Sequence, residues 1–102
     1  MQSSGKNTNF RIERSNPDFL MSLEALPKKI QREVERVEET QLMIDPFPRP
    51  NSKLIVELRG RYRDIYRIIV ARKYRYIYRV EGTTIYSRFV SRRGNATYAD
   101  IF

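Results

Sequence analysis

Basic side chains crowd one stretch of this 102-residue chain. Arg59, Arg61, Arg63, Arg67, Arg72, Lys73, Arg75, Arg79, Arg88, Arg92 and Arg93 fall within 35 positions, against only Asp64 and Glu81. Residues 1–58 hold nine bases and nine acids, so the net charge of +8 arises from this segment alone, offset by Asp100. Guanidinium groups form paired, fixed-geometry hydrogen bonds to phosphate oxygens. A dense array of them is an electrostatic footprint for a polyanion. Tyrosines are set among these arginines, which adds stacking on nucleobases to phosphate contact. An acidic or amphipathic protein segment that covers the same face or its flanking helices is a second expected partner, because a large unbalanced charge repels itself.

Composition excludes several chemistries. There is no cysteine, hence no disulfide and no thiolate metal site. Histidine is absent too, which removes the common zinc sites, the Ser-His-Asp triad and a two-histidine ribonuclease mechanism. No cofactor or metal is expected. No apolar run approaches transmembrane length and the N-terminus lacks a signal-peptide core, so a soluble cytoplasmic protein that does not engage a membrane is expected.

The elements that must carry these residues follow from pattern. Residues 1–8 are polar and aperiodic and read as a flexible arm. Residues 9–102 read as a single domain, short enough to hold one core. Phe10 and Ile12 alternate in a short strand. Asn16-Pro17 signals a helix start, with Phe19, Leu20, Leu23 and Leu26 on its apolar side. Leu26-Pro27 breaks that helix and opens a second, from Lys28 to about Met43. Ile30, Val34, Val37 and Leu42 form its apolar side, while Glu33, Glu35, Glu38 and Glu39 face solvent. So short a link predicts an antiparallel helix hairpin. Asp45-Pro46-Phe47-Pro48-Arg49-Pro50 is a stiff connector.

Three strands follow, 62–70, 74–81 and 84–90, with hairpin turns at Ala71-Arg72-Lys73 and Glu81-Gly82-Thr83. Alternation puts Tyr66, Ile68, Val70, Tyr74, Tyr76, Tyr78 and Val80 on one face. Amphipathic helices need an apolar sheet face, so these tyrosines are assigned to the core rather than to a stacking platform. Arg67, Arg75 and Arg79 are left on the open face, either as solvated strand residues or as phosphate ligands. The expected fold is α+β: an N-terminal strand, a helix hairpin, then a three-stranded antiparallel meander, with the helices on one sheet face.

This ordered set resembles the RelE/ParE superfamily of bacterial and archaeal toxins. The stretches that carry the resemblance are Leu26-Pro27-Lys28-Lys29-Ile30-Gln31, Asp45-Pro46-Phe47-Pro48, Leu58-Arg59-Gly60, Ile65-Tyr66-Arg67-Ile68, Tyr74-Arg75-Tyr76-Ile77-Tyr78-Arg79-Val80, and Val90-Ser91-Arg92-Arg93 with Tyr98. RelE-type members are ribonucleases that cut mRNA in the ribosomal A site and are neutralised by a cognate antitoxin. The resemblance implies catalytic roles for Arg67, Arg75, Arg93 and Tyr98. It leaves Arg59, Arg61, Arg63, Lys73, Arg79, Arg88 and Arg92 as RNA-binding cations. A second first-strand lysine of the family falls on Ile69, a departure that bears on activity. Tyr98 sits about one residue closer than in the prototype, and the short C-terminal helix of some relatives is expected to be missing.

Cleavage by 2′-OH attack on the adjacent phosphate needs cations around a dianionic phosphorane, a proton acceptor at the 2′-OH and a donor at the 5′-oxygen. On this reading Arg67, Arg75 and Arg93 clamp the phosphate. Tyr98 orients or deprotonates the nucleophile, stacks on a base, or only packs. Two other readings stay open: a ParE-like inhibitor of DNA gyrase on a similar fold, and a basic RNA-binding domain without activity.

Overall fold

A computed structural model describes residues 9–58 and 63–92. Strand β1, Arg11–Glu13, sends Ile12 inward, with Phe10 just before it. Asn16 then caps helix α1, Pro17–Glu24: its side-chain oxygen accepts from the Asp18 N–H at 2.8 Å, and Pro17 takes the first helical position, where no N–H is needed. Phe19 and Leu23 are the buried face of α1. Helix α2, Lys28–Val37, begins at Pro27 and buries Val34 and Val37. It continues as a π-helical turn, Glu38–Leu42, so the expected span to Met43 is helical but its last turn is wider than an α-helix.

The proline-rich connector is built into the core edge. Pro46 is buried, and the Tyr78 hydroxyl donates to its carbonyl at 2.6 Å. Phe47 sets its ring edge against Phe10 and Tyr66, each at 5.7 Å between centroids. Strand β2, Ile55–Glu57, follows and has no counterpart in the sequence pattern, because three residues are too few to show alternation. Strands β3, Ile65–Val70, β4, Tyr74–Glu81, and β5, Thr84–Arg92, complete a sheet of order β1-β5-β4-β3-β2. The expected meander is thus extended by β2 at one edge. All pairs are antiparallel except β1 with β5, whose parallel pairing needs the long connection that the helices provide.

Both helices cover the face predicted for them. Phe19, Val34 and Leu42 pack with Tyr66, Ile68, Val70, Tyr76, Tyr78, Val80, Ile85 and Val90 in one core. Tyr76 and Tyr78 are fully buried, at 0% exposure. α1 lies mainly over β5 and α2 over β3. One expectation fails inside this core. Glu38, expected on the solvated helix face, is only 5% exposed. Four residues after buried Val34, it falls on the core side of the helix, where it meets Arg14 and Tyr76. Two hairpins close β3–β4–β5. Ala71 and Arg72 take left-handed φ values of 49° and 65°, and Gly82 takes 62°. Among the described residues no helix is long and apolar enough to cross a membrane.

Candidate nucleic-acid interface

Strand register sets the geometry of the face turned away from the helices. Arg67 on β3 lies opposite Ile77, Arg75 on β4 opposite Ile69, and Arg79 opposite Ile65. Arg67 is therefore the diagonal neighbour of both Arg75 and Arg79, a spacing of about 7–8 Å between backbones. Three guanidinium stems thus rise as a triangle from two strands. Arg88 joins them by a different device. Ile77 pairs with Phe89 but Tyr78 pairs with Ser87, so Arg88 is the extra residue of a β-bulge. The Nε atoms of Arg67, Arg75 and Arg88 are shielded from solvent, so these side chains lie against the sheet rather than waving free.

The expected open face is not a bare cationic plane. Leu58, Ile65 and Ile77 form a second, smaller apolar cluster there, with Phe89 packed on it and Ile77 only 1% exposed. The stem of an arginine readily covers such a surface while its charged head stays at the rim. Surroundings separate the cations. One Arg67 terminal nitrogen donates to the Lys53 carbonyl at 3.4 Å. Arg79 is held by Glu81 at 2.7 Å. Lys73 in the β3–β4 turn, Arg63 before β3 and Arg92 at the end of β5 are exposed. Arg59, Arg61, Arg93 and Tyr98 lie outside the described residues.

Proton chemistry narrows the tyrosines. Burial raises the pKa of Tyr76 and Tyr78, and the Glu38 carboxylate pushes Tyr76 further. Burial also raises Tyr66, with Glu57 and Asp64 adding to it. All three keep their protons at neutral pH and cannot act as bases there. Tyr76 instead closes a buried network. Its hydroxyl donates to Glu38, which leaves Ser87 to donate to Tyr76 at 2.7 Å. The Arg14 Nε donates to the same carboxylate at 3.1 Å, and its guanidinium lies 5.5 Å from the Phe19 ring centroid. A buried charge held by this many donors is the ordinary condition for a buried carboxylate. The network ends at Ser87, the residue beside the bulge that carries Arg88.

Sequence reasoning passed over Tyr86. It pairs with Arg79 on β4 and with Glu13 on β1, so the three residues form one row across the sheet on the arginine side. A cavity of about 360 Å³ opens over this row, lined also by Ser15, Asn16 and Arg88. The parallel β1–β5 pairing that brings Glu13 into the row has no local sequence signal. Among the described residues no cluster of three acids could hold a metal ion.

A sheet with an N-terminal parallel edge strand, two helices on one face and arginines on the other is a fold already known. No protein-family model matches the chain, and no curated protein matches it either. Solved structures do. The RelBE2 toxin–antitoxin complex from Mycobacterium tuberculosis aligns with a TM-score of 0.66 at 19% identity, over 92% of this chain and 100% of that one. The RelE–RelB complex from the archaeon Pyrococcus horikoshii OT3 aligns at 0.66 and 26% identity, over 86% and 99%. A copper-bound mutant toxin from Helicobacter pylori aligns at 0.57 and 10% identity, over 86% and 99%. The fold is that of the RelE/ParE toxin superfamily, and the chain is structurally similar to RelE toxins of type II toxin–antitoxin systems.

Proposed function

We propose that this protein is the toxin of a type II toxin–antitoxin pair, a cytoplasmic endoribonuclease that cuts mRNA on the ribosome and is silenced by a cognate antitoxin. The observation that carries the reading is the Arg67–Arg75 diagonal on the arginine face of a RelE-type sheet. Two guanidinium groups so spaced bracket one phosphate through paired N–H donors. With Arg93 they neutralise the charge that grows on the phosphorane as the 2′-oxygen attacks and the 5′-oxygen leaves. Tyr98 is the proton-transfer candidate, since Tyr66, Tyr76 and Tyr78 are held protonated. The flanking cations Arg59, Arg61, Arg63, Lys73, Arg79, Arg88 and Arg92 bind the RNA around the scissile phosphate.

Ile69, paired with Arg75, favours the second reading, because a cation of the ribonuclease pattern is missing there. That reading is a ParE-like poison of DNA gyrase. Induction of the protein without its partner separates the two. Growth arrest with new 5′ ends in translated mRNA, mapped by primer extension, supports the ribonuclease. Intact mRNA with inhibited gyrase supercoiling contradicts it.

A further inference from the structure

We infer that the row Glu13–Tyr86–Arg79 is a nucleobase subsite that selects guanine. The inference rests on the RNA-cleaving reading and names the base that the same face prefers. Three facts carry it. First, the row is fixed by backbone pairing on both sides of β5, so carboxylate, ring and guanidinium stand side by side on one face. Two interstrand spacings, about 9.5 Å, separate the outer strands of the row. That leaves room for one flat base over Tyr86 between an acid and an arginine. Second, a cavity of about 360 Å³ is open above the row. Third, two carboxylates line the cavity, Glu13 beside Arg11 at 3.8 Å and Glu81 on Arg79 at 2.7 Å. Glu13 and Glu81 are partly exposed, with side-chain exposures of 39% and 57%.

Hydrogen-bond polarity selects the base. Arg79 is oriented by Glu81 at 2.7 Å and retains N–H groups for a ligand, because a guanidinium carries five. It demands acceptors, which guanine supplies at O6 and N7. Glu13 demands donors, which guanine supplies at N1–H and the 2-amino group. Adenine presents its N1 acceptor to the carboxylate and its 6-amino donor to the arginine, a mismatch at both edges. Pyrimidines meet only part of the pattern and stack on Tyr86 over a smaller area. Stacking itself is indifferent to sequence, so the two charged groups supply the choice.

Equilibrium binding of short single-stranded RNAs tests this, with 2′-O-methyl groups blocking cleavage. The probes differ at one position: guanine, inosine or adenine. The wild-type protein is expected to prefer guanine over adenine by about tenfold or more, with inosine between, since it lacks only the 2-amino donor. Glu13→Gln and Arg79→Lys should each reduce the preference to near unity. Tyr86→Phe should keep it, and Tyr86→Ala should weaken all three probes. Equal affinities for guanine and adenine, or a guanine preference that survives Glu13→Gln undiminished, overturns the subsite. Failure of the ribonuclease reading shows separately, as the absence of cuts in ribosome-bound mRNA without the blocking groups.

Discussion

Arg75 and Arg79 stand four residues apart on the same face of β4, in different electrostatic surroundings. Arg79 already has Glu81 at 2.7 Å, so part of its charge is spent within the protein. Arg75→Ala is expected to lower cleavage by roughly 10²–10³-fold, the usual cost of one charge-stabilising donor, with the fold intact. Arg79→Ala should cost much less in rate. Single-turnover cleavage by the two purified variants compares them. The buried network gives a stability prediction of its own. Tyr76→Phe removes a donor from Glu38 and strands the Ser87 hydroxyl, so it should destabilise by about 1–3 kcal/mol, read as a shift in urea midpoint. Alkaline pH acts through the same residues. The folded pKa values of Tyr66, Tyr76 and Tyr78 are raised above 10.0. Their contribution is complete below that value and is lost as pH rises through it toward the folded pKa, because the unfolded chain ionises first. Urea midpoints should therefore fall between about pH 9 and about 11, and Tyr78→Phe should flatten that fall.

At the level of elements, the sequence made long alternating strands and capped helices plain and hid features that depend on distant partners. Asn16-Pro17, the Tyr76/Tyr78 core assignment and the Arg67–Arg75–Arg79 face follow from local rules, and the structure has all three. Strand β2 escaped because its three residues are defined by pairing with β3. The solvated placement of Glu38 failed because charge was weighed over spacing: four residues after Val34, Glu38 falls on the buried side of the helix, where Arg14 and Tyr76 meet its carboxylate. The bulge at Arg88 and the parallel β1–β5 pairing are also tertiary facts, so Tyr86 and Glu13 carried no signal. Turn chemistry supplies another test. Ala71 holds φ 49° without being glycine, a region that costs a side-chain-bearing residue about 1–2 kcal/mol. Ala71→Gly should stabilise by about 0.5–1 kcal/mol once the extra freedom of the unfolded chain is subtracted. Thermal unfolding of the two proteins reads the difference.

For the whole molecule, a near-neutral N-terminal half supports a segment that carries an excess of nine positive charges. Charge placed this way should make RNA binding fall steeply with salt, by about 0.7 in the log–log slope for each phosphate contact. Arg75→Ala should reduce that slope by about one such contact. An antitoxin segment that covers the arginine face should compete with RNA, and its affinity should also decline with salt. The central claim is that the Arg67–Arg75 pair of this RelE-type sheet cuts RNA, rather than only binding it. It is tested most directly by mapping cuts in ribosome-bound mRNA exposed to purified wild-type protein and to folded Arg75→Ala. The account predicts discrete cuts from the wild type and a loss of roughly 10²–10³-fold in the variant. Equal cutting by both proteins, or no cutting by the wild type, would contradict it.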